Sequence, residues 1–246
     1  MKIDFTKQII HFQELDSTNS YAMEFAEEKE LNNPVIISTD FQKKGKGQTN
    51  NDWESERSKN LLMSLIINLG IKIDKQFDLN VITSLCLIDL LETLNLQEIA
   101  IKWPNDILVG TKKIAGILIQ NKIFSNDVKY SVVGIGLNIN QEIFPDFYRQ
   151  ATSIKNETSK LWNISDVKLN LLSIMEKRYL QYFINRELQF DEYLKYLYRI
   201  NKSSNFKIDK SIVAGRIKSV DRQGSLILEL DRGKRHFHSF EIKMLD

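Results

Sequence analysis

Five short stretches hold the residue types from which a binding site can be built. Asp16-Ser17-Thr18-Asn19 puts hydroxyls and an amide ahead of a helical pattern, where they either cap the helix or hydrogen-bond a polar heterocycle. Capping is the commoner use. From Gln42 to Trp53 runs a polar stretch in which Gly45 and Gly47 let backbone approach a ligand, and Lys43, Lys44 and Lys46 can meet anions. A solvated basic loop would look similar. No Gly-Lys-Ser/Thr follows, so this is neither a Walker loop nor a dinucleotide fingerprint. Lys102-Trp103-Pro104-Asn105-Asp106 ends a strand at a proline and aims an amide and a carboxylate from a constrained turn. Asn105 can read an adenine edge, and Asp106 can hold magnesium directly or through water, although Asn-Asp is also an ordinary turn pair. Lys112-Lys113-Ile114-Ala115-Gly116-Ile117-Leu118 sends a lysine into a buried strand beside small residues, where its ammonium can face a carboxylate or phosphate. Gly134-Ile135-Gly136-Leu137-Asn138 places small residues where another group can come close, with Asn138 at the strand end. None of the five decides the chemistry singly.

The elements that must position them follow from hydropathy patterning. Short strands are expected near residues 1–12, at Pro34–Thr39, Asn60–Ile67, Ala100–Trp103, Asp106–Val109, Ile114–Gln120 and Tyr130–Ile139. Gly110 to Lys113 reads as a hairpin connection. Helices are expected over Ser20–Glu27, over Phe77–Leu94 with one wide core face, over Val167–Asn185 capped by Ser165-Asp166, and over about Phe190–Tyr198. The last forty or so residues change to short strands at Ile212–Ile217, Leu226–Leu230 and Arg235–Phe240, separated by Gly224 and Gly233, which suggests a small β-barrel. The plan is α+β with a β appendage. The expected division is a domain over 1–204 and a second over 205–246.

Composition narrows the class. A chain of 246 residues with 42% hydrophobic content buries a core without disulfide or metal staples. A formal net charge of +2 is no nucleic-acid signature, and three histidines leave no HExxH zinc chemistry. No apolar run approaches the roughly 20 residues that cross a bilayer, and the first residues show no signal core, so neither membrane nor export is expected. The single Cys86 fits a reducing cytoplasm and packs inside its helix.

In this order, the five stretches closely resemble the biotin–protein ligases (biotin–[acetyl-CoA-carboxylase] ligases). That family's pattern is a Ser-Thr-Asn motif, a glycine-rich loop GRGRxxRxW, KWPND, K(I/L)AGIL and a G-x-G-x-N strand. Here the pattern reads Asp16 to Asn19, Gly45 to Trp53, Lys102 to Asp106, Lys113 to Leu118 and Gly134 to Asn138. The resemblance spans residues 10–140 by motif, and KWPND followed by KIAGIL is its most specific part. It implies a mixed β-sheet flanked by helices, of the class II synthetase-like, lipoate/biotin ligase type, with a small C-terminal SH3-like β-barrel. It also implies formation of biotinyl-5′-AMP from biotin and ATP with magnesium, then transfer of biotin to a lysine of a biotin carboxyl carrier protein.

Carried over by residue, Ser17, Thr18 and Gln42 would hydrogen-bond the biotin ureido ring with support from Asn19. Gly45, Lys46, Gly47 and Gln48 would fold over biotin, beside Gly116. Lys113 would meet both the carboxylate and the α-phosphate. Trp53, Lys102, Asn105 and Asn138 would hold the nucleotide, Asp106 would order magnesium, and Lys113, Asp106 and Lys46 would carry the chemistry. Three positions depart from the pattern: Lys46 keeps a positive charge where the family has arginine, whereas Gln48 and Asn51 replace two further arginines and neither supplies a guanidinium fork. Lys46, Lys43 and Lys113 with magnesium are expected to cover that charge.

Other readings differ in one respect each. Lipoate or octanoate attachment shares the fold, but the polar Ser-Thr-Asn corner favours biotin. A biotin-binding module that has lost catalysis would owe the loss to Gln48 and Asn51. A biotin-responsive repressor would need a DNA-binding module ahead of Ser17, where the sequence leaves no room, so no DNA partner is expected. A homodimer is a known state of the family that this sequence does not itself specify.

Overall fold

A computed structural model describes residues 4–29, 33–48, 51–145 and 150–245. Of the expected elements, only the opening residues of the first strand region fall outside this range. In chain order the elements are β1 (Ile9–Phe12), α1 (Thr18–Glu28), β2 (Val35–Thr39), β3 (Asn60–Ile67), α2 (Asp78–Thr93), β4 (Ile99–Lys102), β5 (Asp106–Val109), β6 (Lys112–Phe124) and β7 (Asp127–Asn138). There follow α3 (Ile154–Thr158), α4 (Ile164–Ile184), α5 (Arg186–Lys195), β8 (Ser203–Ile208), β9 (Ser211–Val220), β10 (Leu226–Leu230), β11 (Gly233–Phe237) and β12 (Ile242–Met244).

Among the described residues these strands form two sheets. The larger has seven strands in the order β1-β2-β3-β7-β6-β5-β4, and the smaller has five in the order β11-β10-β9-β8-β12. Only β1 and β2 run parallel; every other neighbouring pair is antiparallel. The fold is α+β, a mixed sheet flanked by helices followed by a second, antiparallel sheet.

The central strand β3 is buried along its whole length because both faces of the sheet are covered. Successive side chains then serve different cores. Ile36 and Leu65 face the main core with α2 and α4, whereas Ile37 and Ile66 face the smaller core under α1 with Ala22 and Ala26. Such a strand reads as a continuous apolar run, so its one hydroxyl at Ser64 stands out in the structure rather than in the pattern.

Three expectations need correction. Helix α2 is buried on nearly every side, not on one face, because α4 and α5 cover the side turned away from the sheet. Arg178 of α4 fastens this layer, with bonds of 2.6 and 2.5 Å to Asp89 of α2 and 2.6 and 2.8 Å to Glu192 of α5. Helix α4 starts earlier than expected. Its cap is Asn163, whose side-chain oxygen accepts from the Ser165 and Asp166 amides at 2.8 and 3.3 Å. Helix α5 also begins early, at Arg186, because Asn185 caps it through the Leu188 amide at 3.1 Å without any Gly or Pro to announce the break.

In the second sheet, β8 and β12 were not expected. Cys86 is buried as expected, and burial pushes its thiol well above the ordinary value. Among the described residues no helix is long and apolar enough to cross a membrane.

Candidate active site

Strands β6 and β7 pair with Gly116 opposite Gly136, and the missing side chains make a shelf on which the Trp53 indole lies. A Cβ at Gly116 would come 2.9 Å from Trp53 Cζ3, and one at Gly136 would come 2.6 Å from Cζ2. Backbone bonds draw the two sides of the loop together beside this shelf. Trp53 N donates to the Gly45 carbonyl at 2.9 Å, Gly47 N donates to the Asn51 carbonyl at 2.6 Å, and a Cβ at Gly45 would run into the Trp53 carbonyl. Gly45 therefore serves the loop's own closure.

At one end of the shelf Lys113 Nζ lies 2.6 Å from the Asp106 carboxylate and 5.3 Å from the Trp53 ring centre. The irregularity in β5–β6 pairing between Ile107 and Leu108 sits beside this lysine. Its backbone is held on the other side by residues 150–152, with Lys113 N donating to the Gln150 carbonyl and Thr152 N to the Lys113 carbonyl, both at 2.9 Å. A cation held at a fixed place on the cleft wall is suited to charge that develops at a set position.

At the other end is a neutral polar corner. Ser17 caps α1. Gln42 Oε1 accepts from the Thr18 amide at 2.8 Å and lies 3.1 Å from the Thr18 hydroxyl. Asn19 donates to the Leu118 carbonyl and to Gln120 Oε1, both at 3.1 Å. Ser64 Oγ reaches Thr18 Oγ1 at 2.8 Å and Asn19 Oδ1 at 2.6 Å. Gly134 faces Ser64 across β3 and β7, and a Cβ there would collide with the Asn19 amide.

Two asparagines complete the walls. Asn105 Nδ2 donates to the Ile117 carbonyl at 2.7 Å, and Asn138 Nδ2 donates to the Thr152 carbonyl at 3.0 Å. The result is one cleft of about 460 Å³, within the range of small-ligand sites. Ser17, Thr18, Asn19, Gln42, Lys46, Gly47, Gln48, Trp53, Asn105, Asp106, Lys113, Gly116 and Asn138 all line it.

Lys102 and Gly45 do not line the cleft. Lys102 closes the β4–β5 hairpin opposite Asp106. Lys43 does not reach the cleft either. It pairs at 2.6 Å with Glu14, whose hydrogen bond raises the ammonium's pKa, while Lys44 pairs at 2.9 Å with Asp16. The cleft cations are Lys46, Lys113 and Lys243, the last brought by the second sheet. Sequence reasoning missed Lys243, Ser64, and Phe144 and Pro145 of the wall. A lone lysine near a chain end and a lone serine in an apolar strand carry no spacing signal.

The acids in the lining are Asp106, Asp52 and Glu54, and among the described residues no cluster of three or more metal-ligating side chains occurs. This donor set suits a magnesium ion that keeps its waters and is held by one or two carboxylates together with a nucleotide's phosphates.

Fold and cleft together define an α+β domain with a small-ligand cleft, followed by a small antiparallel β-sheet that adds one residue to its wall. The model of the biotin/lipoate A/B protein ligase family matches residues 11–138, and that of the biotin protein ligase C terminal domain matches residues 201–245. The chain belongs to the biotin/lipoate A/B protein ligase family. Over 245 residues it is 27% identical to the bifunctional ligase/repressor BirA of Bacillus subtilis, covering 97% of this chain and 74% of that protein. It is 25% identical over 207 residues to the biotin–[acetyl-CoA-carboxylase] ligase of Mycobacterium tuberculosis, covering 80% and 73%. Its fold matches that of the biotin protein ligase from Aquifex aeolicus in complex with biotin and ATP, with a TM-score of 0.79 and 21% identity over 97% of this chain and 98% of the other.

Proposed function

We propose that this protein is an ATP-dependent biotin–protein ligase. It forms biotinyl-5′-AMP and then transfers biotin to a lysine of a biotin carboxyl carrier protein in the cytoplasm. The observation that carries the reading is the single cleft that joins the neutral polar corner of Thr18 and Gln42 to the Lys113–Asp106 pair across the Trp53 shelf. A ureido ring needs several neutral hydrogen-bond partners, and its distal carboxylate needs a cation. The cleft offers them at opposite ends.

In the first step a biotin carboxylate oxygen attacks the α-phosphorus of ATP, a P–O bond forms, and pyrophosphate departs with the electron pair of the broken bond. Lys113 holds the attacking carboxylate and steadies charge at the α-phosphate, with Lys46 approaching from the loop. Asp106 would hold magnesium, which supplies charge neutralisation at the phosphates when bound. Asn105 and Asn138 fix the purine side, and the loop from Gly45 to Trp53 covers the mixed anhydride against water. In the second step a lysine amine attacks the biotinyl carbonyl carbon, the amide forms, AMP leaves, and the amine loses a proton.

The test is to incubate the protein with ATP, magnesium, biotin and a carrier domain and to measure the carrier's mass, with lipoic and octanoic acids in parallel. A biotin adduct on one lysine is expected. A lipoyl or octanoyl adduct in its place would assign the other branch of the family, and no adduct with any acid would leave a binding module.

A further inference from the structure

We propose that Thr152 and Glu157 are positioning residues for the first step. Their hydrogen bond fixes one short segment that grips both Lys113 and Asn138, and so sets the spacing between them. The roles of those two residues rest on the biotin reading above, whereas the brace rests on the contacts of residues 150–157.

Thr152 reaches two walls of the cleft at once. Its amide donates to the Lys113 carbonyl at 2.9 Å, and its carbonyl accepts from Asn138 Nδ2 at 3.0 Å. Lys113 is on β6 and Asn138 ends β7, so one residue bonds both strands where they carry functional groups. The Thr152 hydroxyl is left for a third partner and donates to Glu157 Oε1 at 2.5 Å. A backbone carbonyl can only accept, so the Asn138 atom that faces Thr152 is the amide nitrogen.

Glu157 closes the segment on itself. Ser153 starts α3 by accepting from the Asn156 amide at 3.1 Å, and Lys155 N donates to the Ile139 carbonyl at 2.8 Å, one residue beyond Asn138. The Gln150 carbonyl accepts from the Lys113 amide at 2.9 Å. Residues 150–157 are thus tied to the start of β6 and to the end of β7. The Thr152–Glu157 bond joins the entry of this segment to its helix.

Thr152 is 1% exposed and Asn138 is 4% exposed, so water does not replace a bond lost here. A nucleotide held at its α-phosphate by Lys113 and at its purine by Asn138 is gripped at two points. A change in their spacing loosens both grips. The biotin ring is held at the far end of the cleft, by Thr18 and Gln42. Loss of the brace should therefore act on ATP more than on biotin.

The test measures biotin-dependent pyrophosphate release by the full chain, with amide hydrogen exchange and urea unfolding alongside. Thr152→Val keeps the shape and removes the hydroxyl. It should lower kcat and raise the KM for ATP about tenfold, the order of one buried hydrogen bond to a charged group. The KM for biotin should stay within about threefold. Glu157→Ala should behave alike, whereas Thr152→Ser and Glu157→Gln, which keep the donor and the acceptor, should remain close to wild type. In an Asn138→Ala background Thr152→Val should cost less than in the wild-type chain, because part of what it disturbs is already gone. The Lys113 and Thr152 amides should exchange about tenfold faster in Thr152→Val. Unchanged ATP kinetics in Thr152→Val and Glu157→Ala overturn the proposal, even if the urea midpoint falls. So do equal effects on the two KM values, or costs that multiply fully with Asn138→Ala. Failure of the wild-type protein to use biotin would instead overturn the functional reading, and exchange at Lys113 and Thr152 would then decide alone whether the brace exists.

Discussion

Trp53 lies in the space that a side chain at residue 136 would fill: a Cβ there would come 2.6 Å from Cζ2 of the indole. The shelf and the ring are one fitted unit, and the first prediction follows from it. Gly136→Ala should displace a rigid ring that cannot yield at its tip, raising the KM for substrates about tenfold or more. The variant's tryptophan emission should shift, and an unchanged KM with an unshifted spectrum would contradict this packing.

Lys113 is tied to Asp106 at 2.6 Å and to residues 150–152 through its backbone. Lys113→Ala should lower biotin-dependent pyrophosphate release by about 10²–10³-fold, the usual scale for a preorganised charge. Lys46→Ala should cost less, because Lys46 stands on a loop. Normal release by the Lys113 variant would remove this lysine from the chemistry.

Arg178 is mostly buried and bonds Asp89 and Glu192 bidentately. Arg178→Ala should destabilise the protein by about 2 kcal/mol in urea unfolding, below the full cost of breaking a buried pair because both carboxylates keep some contact with water. A loss under about 0.5 kcal/mol would place the helix layer's strength elsewhere.

The same network sets an acid limit. The hydrogen bond from Arg178 holds the Glu192 carboxyl below its ordinary 4.5. A carboxyl depressed in the folded state contributes stability that is complete above 4.5 and is lost as pH falls through the folded value. Melting temperatures should therefore be flat near neutrality and fall below about pH 4.5, and the fall should be shallower in Glu192→Gln.

Much of the site was legible because its makers are unusual residues in tight spacing. Gly116, Gly134 and Gly136 in apolar strands signalled close approach, and the partners proved to be the Trp53 indole and the Asn19 amide. The motif residues from Ser17 to Asn138 converge because β3, β7 and β6 are neighbours, and β3 has the bounds read from its apolar run.

What was not legible depends on partners distant in sequence. Nothing around Lys43 and Lys44 says that Glu14 and Asp16 neutralise them, so both looked available for phosphate. Lys102 was expected at the nucleotide, yet its place in the hairpin keeps it off the cleft wall. The start of α5 was hidden for a different reason: one asparagine both ends α4 and caps the next helix.

Trp103, in the turn that delivers Asn105 and Asp106, donates its indole N–H to the Gly224 carbonyl at 2.9 Å, and a Cβ at Gly224 would press on Phe77 at the start of α2. Lys243, from the last strand, meanwhile stands in the cleft wall. The two halves are thus not interchangeable cassettes. Exchanging the terminal sheet would remove the Gly224 and Lys243 contacts directly behind the turn that carries Asn105 and Asp106, so the cleft is built by both halves and not by the larger one alone.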